Sequence, residues 1–388
     1  MKTEENTKRI LKALRLGFIG LVLLFMLSGI TRAVFLPKDI NYYENRGARK
    51  IGELKAETYL DSSFQDSMEE ALADQIPAAQ PMKKLYNTVN SKLLVKLLLN
   101  NIDKHPDTFF EYNGMLFYNG YILWVPFNLE DCRAEFEATA ESFNKAMKNN
   151  PDTPFYIYYG ESDSIIDFRT GYKTPVYEYI QSLLDIPEDH LARFEINDFD
   201  TYKELYYKTD HHWNYKGSYK GYQEIMKLLG CEDELMKPVE EINLPYYTAG
   251  SKSKECGLTE LKEYYTVYRF DYPDFGFKYG NEEEIISGEL PDFTYELFYG
   301  GNYGTMILDT KRPEKENLIV IGDSFDNAVL KLIASHYNRT ISIDMRNLEL
   351  PEGTRLNITD LIRDNDVDKV LIMASQVVFS SGEFILES

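Results

Sequence analysis

The stretch "ENLIVIGDSFDNAVLKLI", residues 316–333, decides the fold. Leu318 to Ile321 is a short continuous run of apolar residues, the pattern of a strand buried on both faces of a parallel sheet. It runs into Gly322-Asp323-Ser324, and the spacing beyond predicts a helix that starts at once and reaches about His336. Glycine permits the tight turn. A serine at that junction faces free backbone N–H groups and the helix dipole, which favour a developing negative oxygen. An acyl-transferring serine needs such a place, and an ordinary helix N-cap occupies it equally well. This stretch alone leaves both readings open.

Working outward, strands and helices alternate. "RAEFEATAESFNKAMKNN" from Arg133 is an amphipathic helix, "PFYIYYG" (154–160) a buried strand, "PVYEYIQSLLDI" a helix and "ARFEIND" a short strand. A helix follows over about 216–229, and beyond Ser324 come the strand "TISID", a short helix near 357–363 and the strand "DKVLIMAS". The pattern predicts a three-layer αβα sandwich around a mostly parallel sheet, with ligands at the carboxyl ends of the strands. Residues 240–310, rich in Tyr, Gly and acids, interrupt the alternation and read as one insertion near that edge. "GMLFYNGYILWVPF" (114–127) is a hairpin turning at Asn119-Gly120.

A serine hydroxyl is a poor nucleophile without a base, and a histidine base works best when an acid fixes its tautomer. "TDHHWN", residues 209–214, offers both. In an extended segment Asp210 and His212 share a face, while His211 points away; Trp213 and Asn214 pack and cap the turn into the next helix. The chain has only five histidines. A metal-dependent reading needs further Asp and His clusters, and His105, His190 and His336 are isolated, so neither a metal nor a cofactor is expected.

The order and spacing of these blocks resemble the SGNH (GDSL-like) hydrolase superfamily. Within it they are most similar to the branch of the alginate O-acetylation proteins and the bacterial DHHW proteins, in which the acid–histidine pair precedes the serine. "KTDHHWNYKGSYKGY" resembles the central motif, "FYGGNYGTMIL" the segment before the nucleophile, and "GDSFDNAVLKLIASHYNRTISIDMR" the nucleophile block with its Asp-x-Arg. The resemblance implies Ser324 as nucleophile, His212 as base and Asp210 as orienting acid. It implies the Ser324 N–H as one oxyanion donor, with Gly301, Asn302, Gly160 and Arg346 as candidates for the second and Trp213 as a candidate substrate contact.

The 388 residues carry a formal charge of −21, which argues against nucleic acid, whose phosphates need clustered Lys and Arg. The 52 Tyr and Phe residues suit a core, and equally an open groove for a polar polymer such as a glycan. Lys2, Lys8, Arg9, Lys12 and Arg15 precede "LGFIGLVLLFMLSGI" (16–30), as expected of an uncleaved single-pass anchor with its N-terminus in the cytoplasm. A cleaved signal peptide and a buried helix are the alternatives. Residues 1–36 then form the tail and anchor, 37–105 a juxtamembrane connector with helices, and 106–388 the catalytic domain. In the connector, Phe64, Met68, Leu72 and Ile76 form a helical stripe ending at Pro77, and residues 82–99 a second helix. Of Cys132, Cys231 and Cys256, the pair Cys231–Cys256 is the expected disulfide if one forms.

The function implied by the resemblance is O-acetylation of an exported or cell-envelope polysaccharide by an extracytoplasmic domain, with a membrane-bound O-acyltransferase as partner. An acetyl or carbohydrate esterase and a catalytically silent glycan-binding protein are the other two readings.

Overall fold

The computed structural model describes residues 2–38, 40–41, 46–75, 81–86, 88–90, 92–93, 109–279, 286–287, 303–348, 350 and 354–388. Contacts divide the chain into two compact units, residues 1–100 with 257–260 and residues 101–256 with 261–388.

In the first unit, α1 (Lys2–Phe35) contains 24 residues, Lys12–Phe35, long and apolar enough to cross a membrane. The stripe at Phe64, Met68 and Leu72 lies half-buried on α2 (Ser63–Gln75). Ile76 and Pro77 lie outside the described residues. Gln75 at the end of α2 holds the connector: its Oε1 accepts the Lys38 N–H at 2.8 Å, and its Nε2 donates to the Lys38 carbonyl at 3.2 Å. Residues 81–86, 88–90 and 92–93 are helical; the remainder of the helix expected to 99 lies outside the described residues.

The second unit opens with a meander, β1 (Phe110–Tyr112), β2 (Met115–Tyr118) and β3 (Tyr121–Trp124). Asn119-Gly120 turns the expected hairpin, both residues at positive φ as a type I′ turn requires. Asn113-Gly114, also at positive φ, makes a second such turn that adds β1.

The alternating elements follow as α3 (Arg133–Asn149), β4 (Phe155–Gly160), α4 (Val176–Leu183), β5 (Leu191–Phe194), α5 (Phe199–Leu205) and α6 (Tyr215–Leu228). After them come β6 (Glu240–Thr248), α7 (Ser251–Glu255), β7 (Glu263–Arg269), β8 (Gly276–Tyr279), β9 (Ile286–Ser287) and β10 (Thr305–Asp309). The chain closes with β11 (Asn317–Gly322), α8 (Leu330–Ala334), β12 (Arg339–Asp344), α9 (Ile358–Asp364), β13 (Lys369–Ala374) and α10 (Gln376–Ser380).

Eight strands form the central sheet in the order β9-β8-β10-β12-β11-β13-β4-β5. The five from β12 to β5 are parallel. Counted from β11 as the first, their order is 2-1-3-4-5, the doubly wound pattern of flavodoxin-like sheets begun at a different point in the chain. Each parallel strand feeds both faces. Leu318 and Val320 of β11 join a core under α5, α6 and α8, while Ile319 and Ile321 join a core under α3, α4, α9 and α10. That two-sided burial makes the strands read as unbroken apolar runs, and it gives the three-layer αβα sandwich.

Residues 240–310 are divided between two tasks rather than forming one insertion. β6 and β7 pair as an antiparallel ribbon, and β8, β9 and β10 extend the central sheet antiparallel beyond β12. The three cysteines are free thiols, so the Cys231–Cys256 bridge is not formed.

Candidate active site

Tyr206 to Asn214 links α5 to α6 with a run of bends over Lys208–His212, not the extended segment expected, and Trp213 bridges back to Tyr206. The ends of the link are fixed first. Asn214 caps α6, its Oδ1 accepting from the N–H groups of Lys216 and Gly217, and its own N–H donates to the Leu205 carbonyl at 2.8 Å. At the other end Glu263 of β7 accepts the N–H groups of Lys208 and Thr209 at 3.0 and 2.7 Å.

Between these anchors Asp210 forms an Asx turn: its Oδ1 accepts the backbone N–H of His212 at 3.0 Å and faces His212 Nδ1 at 2.6 Å. The turn brings acid and imidazole together as an extended segment would, by a different geometry. The second oxygen, Oδ2, accepts the N–H of Ser251 at 2.8 Å. Burial alone would raise the Asp210 pKa, but the His212 ring, its hydrogen bond, His211 and the Ser251 N–H outweigh that and hold the carboxyl well below its usual range. As a carboxylate it can only accept, so the His212 proton sits on Nδ1 and the Nε2 lone pair faces outward. Nε2 lies 2.7 Å from Ser324 Oγ. Ser324, Asp210 and His212 are thus brought together; Asp210 and His212 are buried and Ser324 is half-buried.

His211 does not point away. Its ring lies over that of His212, centroids 3.8 Å apart, and its Nδ1 is 2.6 Å from Ser251 Oγ. Burial first, then the neighbouring His212, push its pKa down to about 3, so it is neutral at ordinary pH. Asp210, His211 and His212 offer ligand atoms within 4.8 Å of one another. Those atoms already serve hydrogen bonds among themselves and to Ser251 and Ser324, so a cation would compete with the contact that orients His212.

Around Ser324 the expected helix does not start at once. A turn at Ser324-Phe325 leads to a 3₁₀ turn, Asp326–Ala328, before the five-residue α8. The Ser324 N–H makes no hydrogen bond among the described residues, whereas the Phe325 N–H is taken by Asp323 Oδ1 at 3.0 Å. Asp323 Oδ2 accepts the hydroxyl of Ser375, joining the ends of β11 and β13 where the strand order reverses.

Three acids gather here. Asp326 is buried with Oδ2 unpartnered among the described residues, and burial, then Asp344 and Asp323, raise its pKa well above the usual carboxyl range against the pull of Arg346. Arg346 grips Asp344 with two hydrogen bonds, 2.9 and 2.7 Å. Burial works to lower its pKa, but Asp344, Asp323 and Asp326 outweigh it and raise it.

The remaining candidates separate. Trp213 is 1% exposed, packed between Phe194 and Phe325 at ring distances of 5.4 and 5.7 Å, so it supports the site from behind and is not a substrate contact. Gly160 ends β4, with β13 between it and β11, about 10 Å away at the usual strand spacing. It does not join Ser324. Gly301 and Asn302 lie outside the described residues. Sequence reasoning missed Ser251, Glu263 and Phe325. The first two come from the segment read as an insertion, and nothing in "AGSKSKECG" signals that its first serine would hold a carboxylate 41 residues earlier.

The fold is that of a DHHW family protein. A protein so described from Eubacterium siraeum matches with a TM-score of 0.57 and 14% identity over 72% of this chain and 98% of its own. Bacillus cereus PatB1 carrying a sulfonyl adduct matches at a TM-score of 0.52 and 16% identity, over 71% of this chain and 97% of its own. PatB1 without the adduct gives 0.51 and 16% over 72% and 99%. At such identities the likeness is one of fold. No family model and no curated protein matches the chain by sequence.

Proposed function

We propose that the chain is a membrane-anchored, extracytoplasmic serine O-acyltransferase that acetylates a hydroxyl of a cell-envelope or exported polysaccharide through an acyl-Ser324 intermediate. The observation that carries this reading is the unbroken path from Asp210 Oδ1 through His212 to Ser324 Oγ, in steps of 2.6 and 2.7 Å.

Ser324 Oγ attacks the donor ester carbonyl while its proton passes to His212 Nε2, and Asp210 stabilises the imidazolium. The Ser324 N–H is the first donor to the oxyanion; Arg346, Gly301 and Asn302 are the candidates for a second. His212 returns the proton to the departing alcohol. In the second half a sugar hydroxyl gives its proton to Nε2, attacks the acyl-serine, and Ser324 is regenerated with its hydrogen. The resemblance of the "TDHHWN" and "GDSFDN" blocks to alginate O-acetylation proteins favours a sugar over water as acceptor, and the apolar α1 supports attachment to a membrane. Such a system takes its acyl group from a membrane-bound O-acyltransferase, the partner this reading expects.

The test is acetyl release from p-nitrophenyl acetate by the full chain, with and without an oligosaccharide, followed by intact mass. Acetyl on Ser324 that turns over faster with sugar supports transfer. Release into water alone supports the esterase reading. Absence of acylation, or turnover surviving in Ser324→Ala beyond a loss on the order of 10⁶, overturns the proposal.

A further inference from the structure

A second apolar surface lies in the first unit. Met82, Leu85, Tyr86, Val89 and Leu93, on the helical residues 81–86, 88–90 and 92–93, are all 60–67% exposed. At about 100° per residue these five fall within an arc roughly 100° wide, so they form one stripe rather than scattered surface positions. The charges are arranged around it. The same spacing puts Lys83 and Lys92 at the two borders of the stripe and Lys84 opposite it.

Composition sets this segment apart from the rest of the chain. Between Asp74 and Asp103 there are four lysines, Lys83, Lys84, Lys92 and Lys96, and no acid, in a protein with 63 Asp and Glu and a net charge of −21. An apolar stripe bordered by lysines suits a bilayer surface. Apolar side chains enter the acyl boundary, while lysine stems lie along it and place their charges at anionic headgroups. The same unit contains α1, whose Lys12–Phe35 is long and apolar enough to cross that bilayer.

We propose that the helical residues 81–86, 88–90 and 92–93 lie in the surface of the membrane crossed by α1, as a second, charge-selective attachment to anionic lipid. This rests on the reading of α1 as an anchor and is independent of the chemistry at Ser324. A protein partner for the same face would not require the lysine border, and the acid-free run argues for lipid.

The test uses the full chain with Cys132, Cys231 and Cys256 changed to Ser, reconstituted in phosphatidylcholine vesicles with or without phosphatidylglycerol. A fluorophore is placed by Val89→Cys, Lys84→Cys or Leu21→Cys, and a cooperative thermal melt followed by circular dichroism confirms that each labelled variant is folded. Lipid quenchers near the headgroup should quench the label at 89 several-fold more than that at 84. The difference should shrink without phosphatidylglycerol and in a Leu85→Asp background; the two bordering lysines, Lys83 and Lys92, imply about a 30-fold preference for anionic lipid. A label at 21 quenched only by deep acyl-chain quenchers reports α1 separately. Quenching at 21 with none at 89 would mean that the stripe is covered by protein, and would overturn the inference while leaving the anchor intact. No quenching at 21 would remove the anchor and this inference together.

Discussion

Lys252 and Asp163 form an ion pair, Nζ to Oδ2 2.7 Å, with neither side chain exposed at all. Lys252 also donates to the Tyr202 hydroxyl at 2.9 Å, and Asp163 Oδ2 accepts the Trp124 N–H at 2.6 Å. The pair fixes α7, whose first residue, Ser251, holds Asp210 through its N–H and His211 through its hydroxyl. Removing one partner of a buried pair leaves the other charge stranded, so Lys252→Met should cost roughly 3–5 kcal/mol. Lys252→Met with Asp163→Leu should cost less than Lys252→Met alone. Urea unfolding measures both, and turnover should show kcat falling with KM little changed as Asp210 loses its register. A double variant costing as much as the two single losses added together would rule out the coupling.

His211 gives the fold a pH dependence of defined sign. Its pKa is about 3 in the folded chain, against about 6.5 when unfolded. Its contribution is therefore complete above pH 6.5 and is lost as pH falls from 6.5 toward 3, where the unfolded chain takes up a proton that the folded chain refuses. The upper bound is about 5 kcal/mol. Asp210, also depressed, acts only below about pH 4, its ordinary unfolded value. Urea midpoints measured from pH 7 to 4.5 should decline steeply, and His211→Asn should flatten the decline. An unchanged slope would remove His211 as its source.

The face of α6 toward Trp213 has no spare room. A Cβ on Gly221 would lie 2.4 Å from the Trp213 ring, and one on Gly217 would lie 2.2 Å from the Leu205 carbonyl oxygen. Alanine is normally the better helix residue, yet Gly221→Ala should destabilise by about 1–3 kcal/mol through overpacking. Gln223→Ala, on the exposed side, should stay within about 0.5 kcal/mol of neutral. Adding Trp213→Phe should recover part of the Gly221→Ala loss in thermal unfolding.

Arg346 is the counter-charge for three acids. Arg346→Gln would leave Asp326, already raised by burial and by Asp344 and Asp323, without the cation that opposes that rise, so its folded pKa should rise further. The folded variant then binds a proton at Asp326 more readily, and its deficit in stability should grow as pH rises and shrink as pH falls. Thermal melts at several pH values check this. A deficit independent of pH would mean that the arginine contributes by packing alone.

Much of the architecture was legible because the parallel strands are buried on both faces. "FYIYYG", "NLIVIG" and "KVLIMA" read as strands from their unbroken apolar runs, and Phe136, Ala140 and Phe143 mark the inward face of α3. The antiparallel side was not legible: β8 and β10 are short, half-exposed and mixed in composition, so neither period stands out. β1 was missed although Asn113-Gly114 has the same turn chemistry as Asn119-Gly120, because its three residues give too little alternation to read. At the site, Asp210, His212 and Ser324 were legible because each residue type has a necessary chemical role. Lys252 was not. In sequence it is one of two lysines in "SKSKE", and only the tertiary fold removes it from water while leaving Lys254 exposed.

The order of strands also dictates when the sheet can close. β4 is synthesised about 210 residues before its inner neighbour, since the strand that pairs with it on that side is β13, the last of the sheet to leave the ribosome. Until then the sheet exists as two halves with raw edges, β4 on one side and β11 on the other. The gap falls beside Ser324, so the hydroxyl and its imidazole meet on a finished platform only after β13 has bridged it. Closure of this sheet is therefore gated by its own final strand.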